Sequence, residues 1–335
     1  MNTTIFNLQM FADLNTNTIT GSTTPGNDLR ATRKVYYNTQ LLENSRNQNI
    51  FVQLGKKQPL PKNSGDKVEW RKFDTFSPAM TPLTEGVTPD GNKINMTKIE
   101  AQIEQYGDYT CVSDRLDLEA IDPIIMSVTE EHGAQAGDTM DLLTRNALLA
   151  GTHVAYAGGK SDRADLTAAD VITGLDVNKW RTHLKKMKAP TMSDGSYVAV
   201  IHPSVAEDLR HDSEWLAPHQ YQDTTEIYNG EIGKLHGIRF IENINAKVMD
   251  ATESGASGCV YITLVTGKDA FGVIEPSAES MEVIVKQRGS AGTADPLDQR
   301  STVGWKASTA TKILYQERLL RFESGSTYSA IDQGN

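Results

Sequence analysis

The sequence predicts an α+β fold, and three stretches carry that prediction. Residues 122–151 read as one long helix, with apolar or small residues at Ile121, Ile125, Val128, Ala136, Met140, Leu143 and Ala147, in steps of three or four or their sums. Residues 67–112 read as two strands around a wide loop that carries Pro78, Pro82, Gly86, Pro89 and Gly91. Residues 170–274 alternate helical and strand patterns, and further strands close the chain.

Size and charge bound what such a fold can do. The chain's 335 residues can bury a sizeable core in one large or two ordinary domains. Lys and Arg total 33 against 43 Asp and Glu, and a net charge of −10 makes a poor clamp for nucleic-acid phosphates. Cys111 and Cys259 are too few and too far apart for a zinc motif, which points to a reducing compartment. No apolar run approaches the ~20 residues that span a bilayer, and the apolar residues 5–12 lack a basic leader. A soluble protein made in the cytoplasm, with no cofactor and no membrane partner, is expected.

Taken in order, residues 1–28 are rich in Thr and Asn and contain no Lys or Arg. Their apolar clusters, Ile5-Phe6 with Leu8 and Met10-Phe11 with Leu14, are too few to build a core. Two readings stay open, a free tail and an arm laid on a neighbouring subunit. Residues 29–54 look helical until Pro59 and Pro61 break the pattern. A strand follows at 67–71, then the Pro-rich loop, then a second strand over 94–112. The second strand's apolar phase slips by one residue, which predicts a bulge or a change of packing partner near Lys98. A hairpin with so wide a tip is marginal on its own and unusual inside a compact domain. We therefore expect it to leave its own subunit and pack on another.

The long helix should start at Asp122, an N-cap, with Pro123 in the first turn, and end at Gly151 in a left-handed conformation. At 1.5 Å per residue it would run about 42 Å. Gly133 and Gly137 weaken it at mid-length, so close packing is expected there. A Gly-rich connection over 152–165 leads to an amphipathic helix capped by Asp176, with Val177, Trp180, Leu184 and Met187 on one face. Strands are predicted at 197–201, 238–241 and 260–265, with a helix opening at Pro203. Gly230, Gly233 and Gly237 read as turn punctuation. Strands at 281–285, 303–306 and 313–322 should return to the long helix, with Leu143 and Met140 facing the region of Trp305 and Ile313.

Enzyme chemistry finds little support. Gly158-Gly159-Lys160-Ser161 resembles the end of a phosphate-binding loop, but Val154 stands where the first Gly belongs. Glu130-Glu131-His132 sits on the long helix without a second His at metal-ligand spacing, so His132 reads as a packed or solvated residue. No Gly-x-Ser-x-Gly nucleophile elbow occurs. An α/β enzyme would need a titratable cluster assembled only in the tertiary structure.

Several blocks carry a resemblance. Asn7-Leu8-Gln9-Met10-Phe11-Ala12 resembles the opening of many phage capsid proteins. Residues 60–66, 82–89, Gln105-Tyr106-Gly107, 230–233, 237–242 and Thr302-Val303-Gly304-Trp305-Lys306 resemble the N4-like family of tailed-phage major capsid proteins. The blocks lie in the family's order over most of the chain. The resemblance implies the Hong Kong 97-type (HK97-type) phage capsid fold. It assigns residues 1–58 to an N-terminal arm, 59–105 to an extended hairpin loop and 106–169 to a peripheral domain with the long spine helix. Residues 170–278 would be an axial domain, and 279–335 return strands and tail.

The implied function is self-assembly into hexamers and pentamers of an icosahedral head in the virion, around double-stranded DNA held non-specifically. Portal proteins, and scaffold or decoration proteins, are the further partners implied. No residue can be assigned to a covalent cross-link, and a separate scaffold or none is implied. An encapsulin-like nanocompartment shares the fold and is the nearest rival. Candidate assembly contacts are Phe6, Leu8 and Phe11 on the arm, Lys56, Lys57 and Lys62 on the basic stretch after it, and Pro78, Pro82, Glu85 and Pro89 on the loop tip.

Charge distribution adds a reading that owes nothing to the family. Residues 29–73 hold ten Lys and Arg against three acids, whereas 74–142 hold three against fourteen. Either both are solvated faces, or the basic stretch of one subunit lies across the acidic stretch of a neighbour. Such a field steers assembly more than it holds the finished shell. Raising salt, which screens over about 8 Å at physiological strength, should slow assembly at fixed subunit concentration. Reversing Lys56, Lys57 and Lys62 to Glu should slow it as well and leave subunit melting unchanged. Light-scattering rates indifferent to both changes would leave apolar arm contacts as the driving term.

Overall fold

The computed structural model describes residues 49–60, 66–88, 91–119, 124–215, 231–276, 281–290, 295–329, 332 and 334–335. Phe6, Leu8, Phe11, Lys62 and Pro89, the part 29–48 of the helix expected over 29–54, and the Asp122–Pro123 cap lie outside them. A short helix α1 (Phe51–Leu54) leads into strand β1 (Lys56–Leu60). Strands β2 (Lys67–Phe73) and β3 (Met96–Gln102) form the hairpin, followed by β4 (Glu104–Ser113) and α2 (Asp114–Glu119). The long helix is α3 (Ile124–Leu148). Beyond it come β5 (Val154–Tyr156), α4 (Gly174–Lys186), β6 (Tyr197–Ile201) and α5 (Pro203–Arg210). The rest is strand-rich: β7 (Glu231–Leu235), β8 (Ile238–Glu242), β9 (Val248–Met249) and β10 (Val260–Thr266). Strands β11 (Phe271–Pro276), β12 (Glu282–Lys286), β13 (Arg300–Ile313) and β14 (Leu319–Ser324) complete it.

These strands make three sheets. A seven-stranded sheet runs β5-β14-β10-β6-β8-β7, with β9 beside β10. Its strands β6 and β10 are buried along their length, as in sheets covered on both faces, and read as near-continuous apolar runs. Trp180 of α4 packs on Phe322 and Phe240 in that core. The second sheet is organised by β13, the longest strand. Along one edge it pairs antiparallel with β4, from Arg300↔Ser113 to Thr309↔Glu104. Along the other it pairs first with β12 and then with β11. Parallel β1 adds to β11 as the sheet's edge, where Pro59 is tolerated. The third sheet is the β2–β3 hairpin alone.

The long helix forms where it was expected but buries a different face. Its 25 residues span about 37 Å, and its buried positions are His132, Ala136, Asp141, Thr144, Arg145 and Leu148. Ala136 packs with Trp305 and Ala307, joined by Met140 and Tyr106, so the Met140–Trp305 contact holds. Leu143 is only half-buried, in a groove shared with Tyr106, Ala147 and Thr309 to Lys312 of β13, so it faces the late strand beside Ile313 as expected but is not enclosed by it. Thr144 shares a hydroxyl contact of 3.2 Å with Thr311 of β13. A side chain on Gly137 would collide with the Asn49 amide, whereas Gly133 has open space. Gly151 is not left-handed. Its amide bonds Leu148 O at 3.0 Å, and its lack of a Cβ leaves room for Leu319, whose Cδ2 would lie 3.0 Å away.

Other boundaries move for identifiable reasons. No bulge occurs at Lys98, since β2 and β3 stay in register from Lys67↔Gln102 to Phe73↔Met96. The interruption falls at Ile103, where the chain leaves β2 and joins β13, and Ile103 N bonds Asp66 O at 2.9 Å. Even-numbered Ile94 and Met96 are simply exposed. Thr173, not Asp176, caps α4: its hydroxyl accepts from the Asp176 amide at 3.3 Å and donates to the Asp176 carboxylate at 2.8 Å. Met187 sits at the C-cap, at the exposed end of that helix. Residues 231–235 are a strand rather than turn punctuation. They pair with β8 through a tight turn at His236 (φ 50°) and Gly237 (φ 77°), both left-handed as a two-residue hairpin turn of this kind requires. The stretch 313–322 is two strands, and β14 joins the seven-stranded sheet instead of the spine.

The burial order along α3 is testable. Leu148 is fully buried, so Leu148→Ala should cost about 2–5 kcal/mol of unfolding free energy. Leu143→Ala, at a half-covered position, should cost clearly less in the same urea titration. Equal losses would show that the helix presents its apolar stripe inward after all.

Candidate functional site

The hairpin is anchored at one end and bare at the other. Along β2 the side chains alternate between outward and inward, as the pleat requires. The inward Val68 and Trp70, with Ala101 and Ile103, pack against Ile274 and Ala310. Gly272 makes this possible, because a Cβ there would stand 2.9 Å from the Trp70 ring. On the outward face Glu69 bonds Arg71 at 2.8 Å and Lys98 at 3.1 Å. Those two cations hold its carboxyl below the usual range. Lys72 reaches Glu317 at 3.4 Å and lies 4.7 Å above the Tyr315 ring. The hairpin's base therefore rests on its own subunit, contrary to the expectation that all of it leaves.

Past Phe73 that support ends. Asp74 N to Asn95 O, at 3.2 Å, is the last rung. Beyond it the described tip residues are exposed, including Phe76 (53%), Met80 (86%), Leu83 (79%) and Val87 (64%). One turn gives the tip shape: Val87 N bonds Thr84 O at 3.2 Å, with Gly86 at φ 79° in the position where a type II turn needs glycine. Glu85 is at the crest of that turn. Several large apolar side chains exposed on one short loop are the mark of an interaction surface.

Among the predicted site residues, Pro78, Pro82 and Glu85 are on this exposed tip. Lys56 and Lys57 are exposed on β1, at the edge of the β13 sheet. The structure thus separates the two groups within one chain. Sequence reasoning missed the apolar knobs Phe76, Met80, Leu83 and Val87. Their signal was present, since apolar residues without any period in a Pro-rich loop cannot form a core of their own.

Nothing in the described residues gathers into a reactive site. No group of three or more His, Cys, Asp and Glu residues there could hold a metal ion. Gly158 and Gly159 form a tight turn against the Asp170 carboxylate, which repels phosphate. His132 is buried and bonded to Thr110 at 2.9 Å and to Gln135 at 3.0 Å. Ser204, His202 and Asp332 lie close, but the His202 ring accepts from the Ser204 amide, not its hydroxyl. Asp332 takes the Tyr261 and Ser329 hydroxyls, each at 2.6 Å, and the Ser204 hydroxyl at 3.3 Å. This is a seat for the tail, not a nucleophile and its base.

A long helix packed on a β-sheet, an exposed hairpin and a separate α/β layer together make the HK97-type capsid fold. The chain matches the family described as phage capsid protein over residues 97–318, two-thirds of its length, and belongs to that family. It is a phage capsid protein. The capsid of cyanophage P-SCSP1u aligns with a TM-score of 0.69 at 13% identity, covering 95% of this chain and 99% of that one. For the capsid of Ralstonia phage GP4 the values are 0.68, 13%, 93% and 100%. For the capsid of Helicobacter pylori bacteriophage KHP30 they are 0.63, 12%, 92% and 100%. At such identities the likeness speaks to the fold alone. No curated protein sequence matches the chain.

Proposed function

We infer that this capsid protein builds the hexamers and pentamers of a tailed-phage head around double-stranded DNA, and that the hairpin tip is one of the surfaces that joins its copies. The observation that carries this reading is the exposed apolar tip on an anchored hairpin. Its own subunit covers the hairpin's base and leaves Phe76, Met80, Leu83 and Val87 in water, and burying such side chains releases about 1.5–3 kcal/mol each. In this reading residues 1–58 act as an arm, 59–105 as the extended loop, 106–169 and 279–335 as the peripheral domain with its tail, and 170–278 as the axial domain. The motif blocks support placement in the N4-like subfamily. Phe6, Leu8 and Phe11 of the arm add contacts between copies, and Lys56, Lys57 and Lys62 guide them by charge. Assembly in the host cytoplasm, a portal at one vertex, and a scaffold or decoration partner complete the proposal.

Removing residues 77–88 should leave a subunit that melts like the parent but forms no shells, as seen by sedimentation and negative-stain micrographs. A deletion variant that assembles normally would refute a role for the tip.

A further inference from the structure

The tip needs a receiving surface, and one hollow beside the hairpin fits its chemistry. It measures about 220 Å³ and is lined by Lys56, Trp70, Lys72, Asp269, Tyr315 and Arg318, among others. Arg318 stacks on Tyr315 at 3.7 Å and holds Lys268 O at 3.0 Å, so its cation is fixed in place. Lys72 is already paired with Glu317. Lys56 and Arg318 have no carboxylate partner among the described residues. The Trp70 indole N–H likewise finds no acceptor there, and a buried donor in that state gains from any acceptor that arrives. The hollow therefore asks for an apolar group that carries an anion.

The Thr84–Val87 turn offers that combination. Glu85 is exposed and pairs with no described residue, and the exposed Leu83 and Val87 flank it. We propose that this turn of one subunit docks in the hollow of the next, with the Glu85 carboxylate on Lys56 and Arg318 and its apolar neighbours against Tyr315 and Trp70. The proposal rests on the reading of the tip as a contact between copies and names the partner surface. Charge is complementary across it. The seven exposed apolar side chains from Phe73 to Met96 present on the order of 500 Å², less than the ~800 Å² that one partner of a standard interface buries, so this docking is one of several contacts between copies and supplies register. A second copy is the occupant, because within one chain the turn stands in solvent and leaves its own hollow unfilled. Tip on one subunit and hollow on the next make a heterologous contact, which closes into a ring when the rotation allows.

The test is a charge exchange in the full chain. Glu85→Lys should slow assembly about tenfold or more by reversing the local attraction, and Lys56→Glu should do the same. Combining the two should restore most of the rate, with subunit melting unchanged throughout. In a Cys111→Ser background, Glu85→Cys with Lys56→Cys should give covalent ladders of subunits when assembled shells are oxidised. Parental rates for both single variants, a double variant as slow as the singles, or a bond closing within one chain would overturn the proposal. If removing residues 77–88 still blocks assembly while Glu85→Lys assembles normally, the tip remains a contact and this hollow is the wrong partner.

Discussion

Two buried charges on the long helix impose the constraint around which the rest of the chain is arranged. Asp141 and Arg145 lie one turn apart and are almost fully buried. A buried charge is tolerated only when it is paired and hydrogen-bonded. Burial pushes the Asp141 carboxyl up, and the amides of Val52, Phe51 and Ile50 and the Asn243 side chain oppose that by favouring its charged form. Val52 N bonds it at 3.1 Å, so Asp141 acts from across the molecule as the N-cap that α1 lacks. Arg145 donates to Asn245 O at 2.8 Å and to the Asn335 side chain at 3.1 Å. Asn335 in turn accepts from Val248 N at 2.9 Å. The lead into the hairpin, the loop after β8 and the tail therefore converge on one helical turn.

That convergence explains how a subunit can be firm at its centre and open at its edge. The seven-stranded sheet is tied to its flank by Glu323, fully buried and gripped by Arg163 through both carboxylate oxygens, at 2.6 and 2.7 Å. The β13 sheet is tied to the helix by Trp305, whose indole donates to Gln135 at 3.0 Å, while Gln135 donates to Asp108 at 2.8 Å. The hairpin rests on Trp70 and its apolar neighbours and on the contacts of Lys72 with Glu317 and Tyr315. A two-stranded ribbon is marginal alone, so its base is fixed by this packing while its tip finds no layer among the described residues. Firm centre and unfinished edge are the properties that let identical copies assemble without first unfolding.

How much of this was legible depended on which physical signal each element used. The strands β2, β6, β8 and β10 and the helices α3, α4 and α5 announced themselves by period, or by an unbroken apolar run between turn residues. The inward face of α3 did not. Its buried positions include His132, Asp141, Thr144 and Arg145, and polar residues satisfied by distant partners leave no trace in hydrophobic periodicity. Strand β1 was hidden because Pro59 argues against a strand, and only its place at a sheet edge removes the objection. Strand β7 was hidden by Gly233, which marks an irregularity in the β7–β8 register rather than the end of an element. The short β5 is half-buried and follows a Gly-rich run that reads as loop. The tip was legible as an oddity, a loop too long for a compact domain, but its apolar knobs carried no period and were passed over.

Counting charge along the sequence overstates the field that one subunit presents. Of the acids in residues 74–142, Asp141 is buried and Asp117 pairs outside the stretch with Arg288 at 3.0 Å. On the basic side Lys72 is paired outside its stretch with Glu317 at 3.4 Å. Exposed pairs of this kind contribute little to stability, about 0–1 kcal/mol each, but each one removes a charge from the long-range sum. What remains is local. Glu85 on the turn and Lys56 with Arg318 in the hollow are charges without a described carboxylate or cation partner of their own. Unspent charges beside apolar surface discriminate among ways of docking, because a misplaced copy would bury them unpaired. Apolar area then supplies the strength of the contact, and these few charges supply its register.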